Sequence, residues 1–165
     1  MPEPWTIVVD TNVIIDAFVR SRDARSRGSI ELIERIESGQ LHAILPAPVL
    51  IEIFYVVLDV THDPHRARKV LRVLLNSPNF STRGIDVRDA YQAIEYYRQF
   101  NYYAVGQKGK MLKRTDTLSL VDCLILAVGH AVPGAVVVSN EGKFFLAKDI
   151  KVMRPREMLG DLGPQ

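Results

Sequence analysis

The sequence predicts an α/β domain built on a parallel sheet, and three features predict it. Short β-branched runs recur: Thr6-Ile7-Val8-Val9, His42-Ala43-Ile44-Leu45 and Ala135-Val136-Val137-Val138. The first and last of these are apolar almost without interruption, the pattern of strands covered on both faces. Between the runs lie longer segments with helical spacing and helix-boundary residues, and strands alternating with helices give parallel βαβ units.

Taken in order, Thr6–Val9 is the first strand, and Asp10-Thr11-Asn12 are suited to capping a helix over Val13–Arg20. An arginine-rich loop, Arg20 to Gly28, leads to Ser29, expected to cap a helix carrying Ile30, Ile33 and Ile36 and closed by Gly39. His42–Leu45 is the second strand. Pro46 and Pro48 suit the first turn of a helix reaching about Val60, and Asp63-Pro64 opens another to about Leu75. A short strand is expected within Pro78–Gly84, then a helix from Val87 to about Phe100 capped by Asp86. The stretch from Asn101 to Thr117 has no clear period, and a loop of that length in a compact domain is usually functional. The helix Leu118–Ala131, the turn Val132-Pro133-Gly134, the strand Ala135–Val138, a short strand at Lys151–Met153 and a helical turn after Pro155 complete the chain.

The 165 residues fit one domain, residues 1–165, long enough to bury a full core. With 47% hydrophobic and 24% charged residues the composition is that of a soluble protein. No apolar run approaches a membrane span, and the N-terminus lacks the basic segment of a signal peptide. The single cysteine, Cys123, excludes an internal disulfide and a cysteine-based zinc site. A cytoplasmic location is expected. The net charge of +2 says little about partners.

The chemistry is expected where carboxylates interrupt apolar sequence. Asp10 ends the first strand, on the sheet edge where parallel α/β folds bind ligands. Glu52 is the only charge between Ala47 and Leu58, in a segment apolar enough to be read as buried all round. Asp122 is likewise the only charge from Leu118 to Val128. With Leu118, Val121, Ile125 and Leu126 as its helical neighbours, it is expected in mid-helix, neither capping nor solvated. Glu141 follows the strand Val136-Val137-Val138. A lone buried carboxylate needs a cation or a proton; four of them converging would favour a divalent ion. Oxygen donors without His or Cys suit Mg²⁺ or Mn²⁺, which can activate water for attack on a phosphodiester.

These segments carry a resemblance. Val-Val-Asp10-Thr11-Asn12-Val13, Val-Leu-Ile-Glu52, Ser119-Leu-Val-Asp122-Cys-Leu-Ile-Leu-Ala127 and Val-Val-Ser139-Asn140-Glu141-Gly-Lys-Phe144 resemble, in this order, the PIN-domain nucleases. The smallest members of that family are the VapC-type toxins of toxin–antitoxin pairs. The resemblance implies a three-layer α/β/α sandwich with a central parallel sheet. It also implies Mg²⁺- or Mn²⁺-dependent cleavage of RNA, with Asp10, Glu52 and Asp122 as core metal ligands and Glu141 beside them. Hydroxyl support from Thr11 or Ser139, a homodimer and a cognate antitoxin follow from the same analogy. The family's last motif usually reads Thr-x-Asp with another Asp two residues on; here Glu141 and Lys143 occupy those places.

Two basic clusters flank the acids in sequence and are expected to hold the RNA backbone: Arg20, Arg22, Arg25 and Arg27, and Lys108, Lys110, Lys113 and Arg114. Tyr96, Tyr97, Tyr102 and Tyr103 are candidates for stacking on unpaired bases. His62 and His65 lack a third metal ligand nearby and are read as helix-boundary or surface residues. Cys123 has no basic neighbour in sequence to activate it. Other acid-centred α/β enzymes fit less well. A dehalogenase-like phosphatase would need an aspartate two residues after Asp10, and a receiver domain would place its acids at strand ends. The alternative within the family is a PIN-like module that binds RNA or protein without cutting.

Overall fold

The computed structural model describes residues 5–20, 24–102 and 117–163, without the side chains of 24, 25 and 102. Five strands, β1 (Trp5–Val9), β2 (Leu41–Pro46), β3 (Phe80–Arg83), β4 (Val136–Val138) and β5 (Val152–Met153), form one sheet in the order β3-β2-β1-β4-β5. All four pairings are parallel. Ile7, Val8, Val9, Val137 and Val138 are completely buried, as strands covered on both faces must be. Helices α1 (Thr11–Phe18), α2 (Ala24–Glu37), α3 (Ala47–Thr61), α4 (Pro64–Asn76), α5 (Val87–Tyr102), α6 (Leu120–Ala131) and α7 (Pro155–Leu162) provide the cover. They pack in neighbouring sets, α2 against α1 and α7, α3 against α4, and α5 against α6. The predicted three-layer α/β/α architecture is the one observed.

The strand order decides where a site can form. From β1 the chain moves outward through β2 and β3, then returns to place β4 on the other side of β1. Connections leaving β1 and β4 therefore diverge, opening a crevice at their carboxyl ends. Asp10 and Ser139 lie at that point, and the backbone amide of Asp10 donates to the Val138 carbonyl at 3.1 Å.

Several boundaries differ from the sequence reading. Helix α2 begins at Ala24, so Ser29 is not its cap but a buried residue in its second turn. Helix α1 begins at Thr11 with Asp10 in the cap position, yet the Asp10 carboxylate makes no capping bond. Helix α3 is not buried all round: Ile51 and Tyr55 are 63% and 65% exposed, while Val49, Ile53 and Val57 face the core. Its apolar composition hid an outward face. Helix α6 begins two residues later than its apolar periodicity suggested, at Leu120, because Ser119 caps it. Of the expected loop 101–117, residues 101 and 102 complete α5 and 103–116 lie outside the described residues. Asp63 and Asp86 do cap: Asp63 accepts from the amides of His65 and Arg66, and Asp86 accepts from that of Asp89. Among the described residues, no helix is long and apolar enough to cross a membrane.

Candidate acidic site at the sheet switch point

Asp10 is 3% exposed. The Ser139 hydroxyl donates to its Oδ2 at 2.6 Å, and the Asn12 side-chain amide donates to the same oxygen. Among the described residues it has no cationic partner. Burial, and then the charges of Asp122 and Glu52, push its pKa up to about 7, against the opposing Ser139 hydrogen bond. Glu52 reaches the same region from the second turn of α3. It is half-buried and accepts the Thr11 hydroxyl at 2.5 Å. Its pKa is raised, first by burial and further by Asp122.

Asp122 stands at the third position of α6, and the expectation that it could not cap is wrong. Its Oδ2 accepts the Ser119 amide at 2.7 Å, while its own amide donates to the Ser119 hydroxyl at 3.1 Å, a reciprocal capping box. The error came from starting the helix at Leu118, which moves Asp122 from the first turn to the middle. Capping does not exhaust this residue: burial raises its pKa, Glu141 adds to the rise, and Lys143 opposes it. Glu141 precedes a short 3₁₀ helix, Gly142–Leu146, and its amide donates to the Ser139 hydroxyl at 2.9 Å. Ser139 thus joins Asp10 to the Glu141 turn. Three elements that are distant in sequence bring Asp10, Glu52 and Asp122 within electrostatic reach, with Glu141 beside Asp122.

A second layer of polar residues lies behind the acids, and the sequence reading missed it. Asn12 holds Asp10 and accepts the Asn140 amide at 3.0 Å. The Asn140 side chain donates to Asp16 at 2.9 Å and to Ser29 at 3.0 Å, joining α1, α2 and the β4 turn. Asp16 is buried and lies 3.8 Å from Arg20. Asp16 was detectable, being the one charge in Val13–Phe18, the same signal that singled out Glu52. Asn12 and Asn140 are ordinary loop and cap residues in sequence and gave no such signal.

The remaining candidates fall in different places. Arg20 and Arg27 are exposed, while the Arg22, Arg25, Lys108, Lys110, Lys113 and Arg114 side chains lie outside the described residues. Tyr96 is core, with its hydroxyl donating to Asp149 at 2.7 Å and its ring stacked on Phe100. Tyr97 is 39% exposed, and the Tyr102 side chain and Tyr103 are not described. His62 and His65 are exposed at the α3–α4 junction. Cys123 is buried, which pushes its thiol up to about 12 and leaves it unreactive.

The model of the PIN domain family matches residues 7–149. The chain belongs to the PIN-domain family. Solved structures with the same fold include VapC20 of Mycobacterium tuberculosis, described as a toxin cleaving the sarcin–ricin loop. That structure is 20% identical, with a TM-score of 0.63 over 90% of this chain and 99% of the other. VapBC2 of Rickettsia felis, bound to a promoter DNA fragment, is 16% identical, with a TM-score of 0.62 over 90% and 98%. The DNA-bound VapBC of Salmonella typhimurium gives 16% and 0.61 over 92% and 98%. Among curated proteins, no sequence matches significantly.

In this PIN domain the acids are close enough to act on one another electrically. Among the described residues, however, no three His, Cys, Asp or Glu side chains form a ready-made metal cage. Asp10, Glu52 and Asp122 are each held by their own hydroxyl or amide donors. The donor set nevertheless fits a hard divalent cation: oxygens only, partly desolvated, with raised pKa values and no lysine or arginine paired with Asp10 or Glu52 among the described residues.

Proposed function

We propose that this PIN domain is a divalent-metal-dependent endoribonuclease and the toxin of a toxin–antitoxin pair. The observation that carries the reading is the buried Asp10 carboxyl, without a cationic partner among the described residues, beside Glu52 and Asp122 at the switch point of the sheet. Repulsion and burial hold these acids in an unfavourable state that a cation relieves. Asp10, Glu52 and Asp122 would hold Mg²⁺ or Mn²⁺, with Glu141 supporting a second ion or placing the attacking water. The ion would supply charge stabilisation on the phosphodiester and a more acidic bound water. The protein's own part is positional. Ser139 and Asn12 fix Asp10, Thr11 fixes Glu52, and the capping box fixes Asp122, so the acids are oriented before substrate arrives.

The antitoxin is supported by the structural likeness to VapBC complexes, and the homodimer by the family resemblance. A cytoplasmic location and a single domain over residues 1–165 belong to the same proposal.

The test is Mn²⁺ titration by calorimetry of wild type and Asp122→Asn, followed by incubation of both with mixed RNA. Metal binding and cleavage should fall together in the variant, and the products should carry 5′-phosphate and 3′-hydroxyl ends. A 2′,3′-cyclic phosphate product would count against water as the nucleophile, and a wild type that binds no metal would sink the reading. A second reading, a PIN domain that binds RNA without cutting it, is favoured by each acid being bonded to its own donor, with no ready-made metal cage among the described residues. Wild type that binds RNA but leaves it intact with both ions would select it.

A further inference from the structure

A cleft of about 570 Å³ opens beside the acidic centre, bounded by Tyr97, Ser119, Asp122 and Lys143. Its size falls in the range of about 300–1,000 Å³ that accommodates small-molecule groups. Two of its walls carry groups that the proposed hydrolysis leaves unused.

One wall is Lys143, on the 3₁₀ helix after Glu141. An ammonium group has three N–H donors. Among the described residues, its one hydrogen bond goes to the Thr117 carbonyl at 3.0 Å, a neutral acceptor, and it makes no ion pair. Lys143 is close enough to Asp122 to lower that residue's pKa, so its positive charge borders the acidic centre without being consumed by it. The other wall is Tyr97 on α5, 39% exposed. Its neighbour Tyr96 is committed to the core, whereas Tyr97 has no ring partner among the described residues.

We infer that this cleft is a subsite for one unpaired nucleotide of the RNA, with a backbone phosphate on Lys143 and the base against Tyr97. The inference rests on the ribonuclease reading above and names where its substrate lies. A carboxylate-lined wall repels phosphate, and Lys143 supplies a fixed positive charge at that border. An aromatic face accepts any base, so the subsite requires a single strand rather than a particular sequence.

The experiment follows fluorescence anisotropy of a fluorescein-labelled, mixed-sequence, single-stranded octaribonucleotide across a salt series, in EDTA and again with Ca²⁺. Tyr97→Ala should weaken binding about tenfold, the scale of a lost base stack. Lys143→Gln should reduce the slope of log affinity against log salt by about one, the signature of a lost phosphate contact. Tyr97→Phe and Lys143→Arg should behave as wild type, and thermal unfolding should show every variant folded.

Wild-type affinity in Tyr97→Ala overturns the base contact, and a wild-type slope in Lys143→Gln overturns the phosphate contact. Equal losses in the conservative and drastic variants overturn both, since they point to a structural role. If wild type binds no RNA in either buffer, the ribonuclease reading itself fails, an outcome distinct from variants that match a binding wild type.

Discussion

Two donors, the Ser139 hydroxyl and the Asn12 amide, converge on one oxygen of Asp10, and no cation balances the charge among the described residues. The consequence is a pH-dependent stability whose sign is fixed. Unfolded, this carboxyl titrates near 3.8; folded, near 7. Between those values the folded chain holds a proton that the unfolded chain has lost, so metal-free stability falls as pH rises through this window and levels off above it. Asp10→Asn keeps an acceptor for both donors and removes the charge. In EDTA at pH 8 it should be more stable than wild type, by on the order of 4 kcal/mol, with a flatter dependence between pH 4 and 7 in urea unfolding. A variant less stable than wild type at pH 8 would mean that Asp10 is not held against its ionised form.

Two elements carry consequences of their own. The first turn of α6 is closed by Ser119 and Asp122 acting reciprocally, so Asp122 serves helix and site at once. Ser119→Ala should cost about 1 kcal/mol of stability and also weaken Mn²⁺ binding, because the carboxylate loses the turn geometry that aims it. Unchanged metal affinity in a destabilised Ser119→Ala would separate the two roles. At its other end α6 lies so close to β4 that a Cβ on Gly129 would come within 2.2 Å of a Val137 methyl. In an exposed helix Gly→Ala would gain up to about 1 kcal/mol; here overpacking wins, and Gly129→Ala should lose roughly 1–3 kcal/mol. A raised melting temperature for that variant would show that α6 can shift away from the sheet.

Across the whole molecule, the acids come from the β1–α1 junction, α3, α6 and the turn after β4. A cation held among them would tie four separate parts of the chain. Binding to the folded state alone stabilises by mass action, about 2.7 kcal/mol when the ion is present at a hundred times its dissociation constant. Saturating Mn²⁺ should therefore raise the thermal midpoint of wild type by several degrees and leave that of Asp10→Asn nearly unmoved. An equal rise in both would place the ion elsewhere.

The sequence by itself determined the fold class, because unbroken β-branched runs tolerate nothing but a sheet covered on both faces, and Pro46, Asp63 and Gly39 end or begin helices through local chemistry. It also determined which acids were out of place, since a single charge in an apolar segment is costly wherever that segment packs. Tertiary structure alone decided the rest. Strand order put β4 beside β1 and so brought Ser139 onto Asp10 across the chain, a contact that no local pattern encodes. It turned Ile51 and Tyr55 outward from a helix whose composition suggested full burial. The Asn12–Asn140–Asp16–Ser29 network was hidden for the same reason: hydrogen bonds between polar groups 111 to 128 residues apart leave no periodicity to read. Lys143 reads in sequence only as a departure from a motif, and its place on the same cleft as Tyr97 exists because the fold brings α5 and the turn after β4 to line one opening.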